Sequence, residues 1–318
     1  MTSTISSKPF RFGIQISGAP DGATWRQLAR RAEELGYDTL SAADHLDDQF
    51  SPIPALVAAA DATSTIRLAL VMLCHDYRHP VITAKDVATL DVLCGGRLDV
   101  GIGAGWQTGD YAQAGIPFDD AATRVDRTEE YIQVLKGLWA DGALTHSGRW
   151  YEVTGLDGRP KTLQRPHPPI LMGGGGRRML TIAAREADIV AINIKMVSGK
   201  VDASAGPTAT AEATDQKLKW IRDAAGDRFD DLTLQTRIHL AMVTDTPAEK
   251  DEVAQWASPA FGLTPEQGYG TPHALVGTVE QIVDDCERRR ERWGISYITL
   301  SADAMESFAP VVAALSGR

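Results

Sequence analysis

Eight apolar, β-rich runs, each followed by a stretch with helical spacing, predict a closed (β/α)8 TIM barrel with loop insertions at its C-terminal face. Several of the runs are almost continuously apolar, as expected of strands covered on both faces of a parallel sheet. The chain has 318 residues, enough for eight such units, and a single barrel domain is expected over 1–318. The competing reading is an open doubly wound sheet. The first strand leads into "GAPDGATW", without a GxGxxG at the strand-to-helix turn, which lowers that alternative.

The units follow one another in order. "FRFGIQIS" leads to "TWRQLARRAEELG", whose apolar spacing and terminal glycine mark a helix. "DTLSAAD" leads to "PIPALVAAADAT", "IRLALVML" to "HPVITAKDVATLDVLCGG", and "RLDVGIGAG" to "RVDRTEEYIQVLKGLWA". "PPILMGG" leads to "RRMLTIAAREA", and "DIVAINI" to "ATDQKLKWIRDAAG". "LTLQTRIHLAMVT" reads as one strand before "TVEQIVDDCERRRERWG", and "SYITLSA" precedes "ESFAPVVAAL". Four segments interrupt the alternation. Residues 106–123 read as a long loop. Residues 143–153 read as a small hairpin with "SG" at its turn. Residues 195–213 are rich in small residues and are expected to form a mobile loop. Residues 257–277 carry glycines and prolines without periodicity. Three of the four follow strands, on the side of a barrel where active sites and lids lie.

Composition removes several function classes. Hydrophobic residues make up 43% and charged residues 23%, the balance of a globular chain. The net charge of −10, without a basic block, argues against nucleic acid as a partner. Cys74, Cys94 and Cys286 are odd in number and far apart, so neither a disulfide framework nor a cysteine-rich zinc site is expected. No apolar run reaches membrane-spanning length and no signal sequence opens the chain, so no membrane partner and a cytoplasmic location are expected. The partner expected instead is a small-molecule substrate. The apolar helix "IPALVAAADA" is a candidate face for a homodimer.

Four clusters could carry chemistry. Asp44 and His45 end the second strand, where a histidine either exchanges protons with a bound molecule or merely caps a helix or hydrogen-bonds in the core. "HDYRH", with His75, Asp76, Tyr77, Arg78 and His79, ends the third strand. It suits substrate contact or an Arg78–Asp76 pair that fixes the turn, and no metal site is expected there. "GIGAGW" ends the fourth strand; its glycines allow close approach of something flat, or a tight strand exit. "LMGGGGRRML" is the most telling. Gly173, Gly174, Gly175 and Gly176 join a strand to a helix and are followed by Arg177 and Arg178, which favours an anion site, with phosphate the obvious anion, over a plain structural turn. On this reading, a bulky residue at Gly175 should weaken anion binding more than it alters the fold.

These residues together resemble the luciferase-like flavin and deazaflavin oxidoreductases, and among them the actinobacterial coenzyme F420-dependent enzymes. "FGIQIS", "SAADH", the run over residues 68–106 and "PPILMGGGGRRMLTIAAREADIV" carry the resemblance, which extends over residues 10–300. It implies a barrel with the cofactor ring across the C-terminal strand ends and catalysis beside Asp44 and His45. It also implies a non-prolyl cis peptide at Val71–Met72 in a bulged third strand supporting the ring. Gln107 would be a polar cofactor contact, and residues 174–178 the phosphate loop. The implied cofactor is coenzyme F420, with FMN as the alternative because both place a phosphate in that loop. The implied reaction is hydride transfer to or from a small organic substrate, the alternatives being an FMN-dependent monooxygenase or a barrel that binds cofactor without catalysis. Ala104 departs from the pattern. Sugar-phosphate dehydrogenases of this family carry an acidic residue there, so a sugar phosphate is not the expected substrate.

Overall fold

The apolar runs become short strands because β-branched and aliphatic residues pack on both faces of a pleated sheet. A computed structural model describes residues 8–196, 199 and 202–318. Among the described residues twelve strands form: β1 (Arg11–Gln15), β2 (Thr39–Ala42), β3 (Arg67–Cys74), β4 (Leu98–Gly103), β5 (Leu144–Ser147), β6 (Glu152–Leu156), β7 (Ile170–Gly174), β8 (Ile189–Ile192), β9 (Thr233–Arg237), β10 (Leu240–Val243), β11 (Ala274–Gly277) and β12 (Ile295–Ser301). Eight of them close a barrel in the order β1-β12-β9-β8-β7-β4-β3-β2. β1 with β12, β12 with β9, β9 with β8, β4 with β7 and β3 with β4 all pair in parallel, as the βα alternation requires. By internal contacts the described residues divide into two compact units, one comprising Ser17–Arg30 and Leu40–Met172, the other the remainder.

In the first unit, β3 and β4 run in register from Leu68 to Leu70, and the register then shifts between Leu70 and Leu73. The Val71–Met72 peptide inside this bulge is cis. The facing strand is fitted to it. A Cβ on Gly101 would fall 2.3 Å from the Leu70 carbonyl oxygen and 2.9 Å from Met72 Cγ, and one on Gly103 would fall 3.4 Å from Met72 Cβ. What approaches these glycines closely is therefore the neighbouring strand. The hairpin expected over 143–153 is β5 paired antiparallel with β6. Its turn is held by Glu130, whose carboxylate accepts from the backbone N–H groups of Arg149, Trp150 and Tyr151 at 2.9–3.2 Å.

Three expected boundaries differ. Residues 106–123 are not one loop: Thr108–Ala114 is a helix, closed by Gly115 in the left-handed region at φ 68°. "LTLQTRIHLAMVT" breaks after Arg237. Only β9 enters the barrel, while β10 pairs with β11 in a separate two-stranded sheet. Residues 257–277 are likewise structured, holding the end of helix Glu249–Ala260, the helix Pro265–Gly270 and β11. Pro265–Gly270 starts on a capping box between Thr264 and Gln267, a local signal that periodicity does not register. In residues 195–213, a 3-10 helix spans Ala203–Thr208 and helix Ala211–Ala225 begins. Residues 197, 198, 200 and 201 lie outside the described residues. No helix among the described residues is long and apolar enough to cross a membrane.

Candidate functional site

The strand end after β2 places Asp44 and His45 in quite different surroundings. Asp44 is buried, and both of its oxygens are engaged. Arg78 grips it with two nitrogens at 2.5 and 3.0 Å, and the Cys74 N–H donates to Oδ2 at 3.0 Å. Bidentate guanidinium–carboxylate pairs of this kind are strong and directional. Arg78 therefore pairs with Asp44, correcting the expected partner Asp76. Asp76 is met by His75 Nδ1 and Arg127 Nε, each at 3.0 Å, and by the Tyr111 hydroxyl at 2.9 Å. Burial alone would raise the Asp76 carboxyl, but the hydrogen bond and charge of His75, with Tyr111 and Arg127, hold it below its ordinary value.

His45 retains access, with its side chain 20% exposed. Its Nδ1 lies 2.9 Å from Asp110 Oδ2, and its ring meets Trp106 edge-on at 5.5 Å. A carboxylate at Nδ1 keeps the proton on that nitrogen and leaves Nε2 as the base. Asp110 is buried and serves as a junction: the Tyr77 hydroxyl donates to Oδ2 at 3.2 Å and Gln107 Nε2 donates to Oδ1 at 2.9 Å. Burial pushes the Tyr77 hydroxyl up, and the charge of the facing Asp110 adds to this, so Tyr77 stays a donor. Asp110 is the residue the sequence reading missed. It sits three positions after Gln107 in the first turn of Thr108–Ala114, in a stretch read as loop. A helix there would have been signalled by Gly115 as its stop.

Tyr111, next to Asp110 on the same helix, packs its ring on Tyr77 at 5.6 Å. Its hydroxyl lies 3.2 Å from Cys74 Sγ. Burial pushes the Cys74 thiol up to about 11, so it is a neutral packing group. Gly105, the last glycine of "GIGAGW", has φ +71°, and a Cβ there would fall 1.8 Å from the Tyr111 oxygen. Ala104 offers no side-chain chemistry, and its carbonyl accepts from Arg124 Nε at 3.1 Å. His75 and His79 are structural as well. His75 Nε2 lies 3.1 Å from the Arg124 carbonyl, and His79 accepts from the Val81 N–H at the start of helix Pro80–Leu93. Among the described residues no group of three or more His, Cys, Asp or Glu side chains could hold a metal.

The glycine run belongs to the other unit. Gly173 and Gly174 end β7, Gly176 caps helix Arg177–Glu186, and Arg177 and Arg178 are exposed. The four glycines have different reasons to be there. A Cβ on Gly173 would fall 2.2 Å from the Ala191 carbonyl oxygen, and one on Gly175 2.3 Å from the Lys195 backbone nitrogen. One on Gly174 would meet Met179 at 3.2 Å, and one on Gly176 would meet nothing within 4 Å. Gly175 is thus a backbone-packing position, which corrects the expectation that a larger residue there spares the fold. Gly176 is the open position. The Gly175→Ala variant is expected to lower the melting temperature measurably, and Gly176→Val to leave it within a degree or two. Equal melting curves for the two variants would remove this distinction.

A family model described as luciferase-like monooxygenase matches residues 4–297. The chain belongs to that family. Its relatives differ in the cofactor in their names. An FMNH(2)-dependent dimethylsulfone monooxygenase from Pseudomonas putida is 30% identical over 198 residues, 59% of this chain and 54% of that protein, so the match spans about half of that relative. An F420-dependent glucose-6-phosphate dehydrogenase from Nakamurella multipartita is 28% identical over 308 residues, covering 92% of this chain and 85% of that one. The fold is shared with a coenzyme F420 dependent tetrahydromethanopterin reductase from Methanopyrus kandleri. That structure superposes with a TM-score of 0.74 at 20% identity, over 97% of this chain and 100% of that one. A long-chain alkane monooxygenase superposes with a TM-score of 0.77 at 18% identity, over 96% and 91%. The family thus contains both F420-dependent oxidoreductases and FMN-dependent monooxygenases.

Proposed function

We propose that this protein is a coenzyme F420-dependent oxidoreductase that moves a hydride between the deazaflavin and a small organic substrate, reducing an activated C=C or C=N bond. The observation that carries the reading is His45, held by Asp110 in one tautomer at the end of β2 with Nε2 left to exchange a proton. Full-length similarity to an F420-dependent dehydrogenase supports the choice of cofactor.

The residues present fit a phosphate-bearing cofactor. Gly176 leaves open space where a Cβ would stand, at the start of a ten-residue helix whose first N–H groups lack intrahelical partners. Gly174, Gly176, Arg177 and Arg178 would hold the phosphate. Gly173 and Gly175 would shape the loop by letting it pack against β8 and the chain just after it. The Val71–Met72 backbone would support the ring. Gln107 would act mainly through Asp110, since its amide nitrogen is committed there. When bound, the deazaflavin supplies two-electron hydride exchange at a ring carbon.

The protein's own part is proton handling and positioning. His45 Nε2 would give or take the proton that accompanies hydride transfer, and Asp110 would stabilise the imidazolium that forms. Asp44, saturated by Arg78 and Cys74, would position the strand end without exchanging protons itself. With Ala104 in place of an acid, the substrate class lies outside the sugar phosphates. Arg177, Arg178 and Lys195 would meet the anionic tail of the coenzyme; Lys200, a further cation close by in the sequence, lies outside the described residues. The whole chain would act as one domain, as a cytoplasmic homodimer.

A spectral titration tests this. Adding coenzyme F420 to purified protein should perturb its absorbance near 420 nm with saturation, and Gly176→Val should weaken that binding about tenfold. Tight retention of FMN with no response to F420 would overturn the reading. It would favour the FMN-dependent monooxygenase, which the 30% identical dimethylsulfone monooxygenase supports; oxygen uptake with reduced FMN would then be expected. Cofactor binding with unaltered chemistry in His45→Ala would favour a non-catalytic barrel.

A further inference from the structure

A cavity in the second unit is lined by none of the proton-handling or phosphate-holding residues. It holds about 770 Å³ of empty space, counting its open mouth. Its walls come from the chain after β8, from β10 and β11, and from helices Glu249–Ala260 and Pro265–Gly270. They are mainly apolar, with Ile194, Leu240, Val253, Phe261, Leu263 and Val276 among them. Two glycines bring the walls together backbone to backbone. A Cβ on Gly206 would fall 2.3 Å from the Phe261 carbonyl oxygen, and one on Gly262, at φ +70°, 2.3 Å from that of Ala203. Apolar clusters on two sides, one around Ile194 and Leu263 and one around Val253 and Val276, hold the shape.

The polar lining is largely spent. Lys250 pairs with Asp285 at 2.9 Å, and Arg289 donates to the Pro272 and Ala274 carbonyls. These basic groups already have partners, so an anion finds little to hold it. His273 is different. It is 4% exposed and lines the cavity, and its Nδ1 lies 3.1 Å from the Arg237 carbonyl and 3.3 Å from Thr236 Oγ1. A carbonyl at Nδ1 requires the proton on that nitrogen, which makes Nε2 a bare acceptor. Nε2 is buried and has no hydrogen-bond partner. Burial pushes His273 well below the usual histidine value, with His239 adding to this, and burial with the Arg237 charge takes the neighbouring His239 to about 4. Both rings are therefore neutral at pH 7, and a buried acceptor left unmet is costly.

We infer that this cavity binds a small, uncharged, mostly apolar molecule bearing one hydroxyl or N–H group, which donates its hydrogen to His273 Nε2. Apolar walls supply affinity, and the His273 acceptor supplies orientation. The inference stands on this cavity alone and does not depend on which cofactor the protein uses.

Two probes of matched shape test it in the full-length protein: 2-naphthol, which can donate, and 2-methoxynaphthalene, which cannot. By fluorescence titration 2-naphthol should bind with saturation, and the ether about tenfold more weakly. His273→Phe should reduce 2-naphthol to the level of the ether. Because that substitution could disturb β11, a second variant, Ala254→Trp, fills the cavity from a half-buried wall position without touching His273. It should abolish binding of both probes while the melting temperature and the F420 titration stay as in the parent. Equal affinity for the two probes, no binding of either, or unchanged binding in Ala254→Trp would each overturn the inference. A failed F420 titration would leave it standing.

Discussion

Asp110→Asn is expected to lower kcat by about two to four orders of magnitude, the range over which a positioned general acid–base contributes, while the protein stays folded. The reason is acceptor capacity. Three donors converge on Asp110: His45 Nδ1 and the Tyr77 hydroxyl on Oδ2, and Gln107 Nε2 on Oδ1. A carboxylate offers acceptor sites on both oxygens, but an asparagine offers one oxygen and an N–H2 that is itself a donor. One side of the junction must then face donor to donor. If the amide nitrogen turns toward His45, the imidazole is driven to the other tautomer and Nε2 carries the proton, the wrong state for a base. If it turns toward Gln107, that amide can flip to offer its oxygen, but the charge that stabilises an imidazolium is still gone. His45→Ala should lose a similar factor, and the double variant little more, since the pair acts as a unit. Steady-state turnover of the F420-dependent reaction, with melting temperature as the folding control, measures all three. Additive losses in the double variant would show that Asp110 acts apart from His45.

What was legible in the chain, and what was not, follows from the range of the interactions. The barrel was legible because βα alternation and apolar continuity are local properties, and β1, β3, β7 and β12 stand close to where their apolar runs predict. The end of β2 was legible as a candidate site because a barrel presents its strand ends to ligands. Asp110 was not, since its meaning comes from His45, 65 positions away, and its helix is only seven residues long. The break between β9 and β10 was hidden for a related reason. Residues 232–244 keep a strand-like composition throughout, and what ends β9 is the partner each half finds, β8 and β12 for the first and β11 for the second. The glycine run was legible as a turn, but the division of labour between Gly175 and Gly176 depends on the segment at Lys195, which the sequence cannot bring near. His273 gave no signal at all: a lone histidine before a short strand acquires interest only when its second nitrogen is buried without a partner.

Asp44→Ala is expected to cost about 3–5 kcal/mol of stability, the usual penalty for removing one partner of a buried ion pair. At roughly 2–4 °C per kcal/mol for chains somewhat smaller than this one, the melting temperature should fall by on the order of 10 °C. The burial decides the size. The Asp44 side chain is 3% exposed and that of Arg78 23%, so water can hydrate the stranded guanidinium only in part. The Cys74 N–H, which donates to Asp44 at 3.0 Å, is orphaned at the same time, adding the cost of an unmet buried donor. Removing both charges should recover much of the loss. Asp44→Ala with Arg78→Met leaves no stranded cation, and thermal melts of the two singles and the double give the coupling directly. Activity separates positioning from catalysis. If Asp44 only positions the strand end, Asp44→Asn assayed well below its melting temperature should lose turnover by less than tenfold and keep the parent pH profile. Loss of one limb of that profile, with His45 and Asp110 intact, would instead make Asp44 a proton-transferring group in its own right.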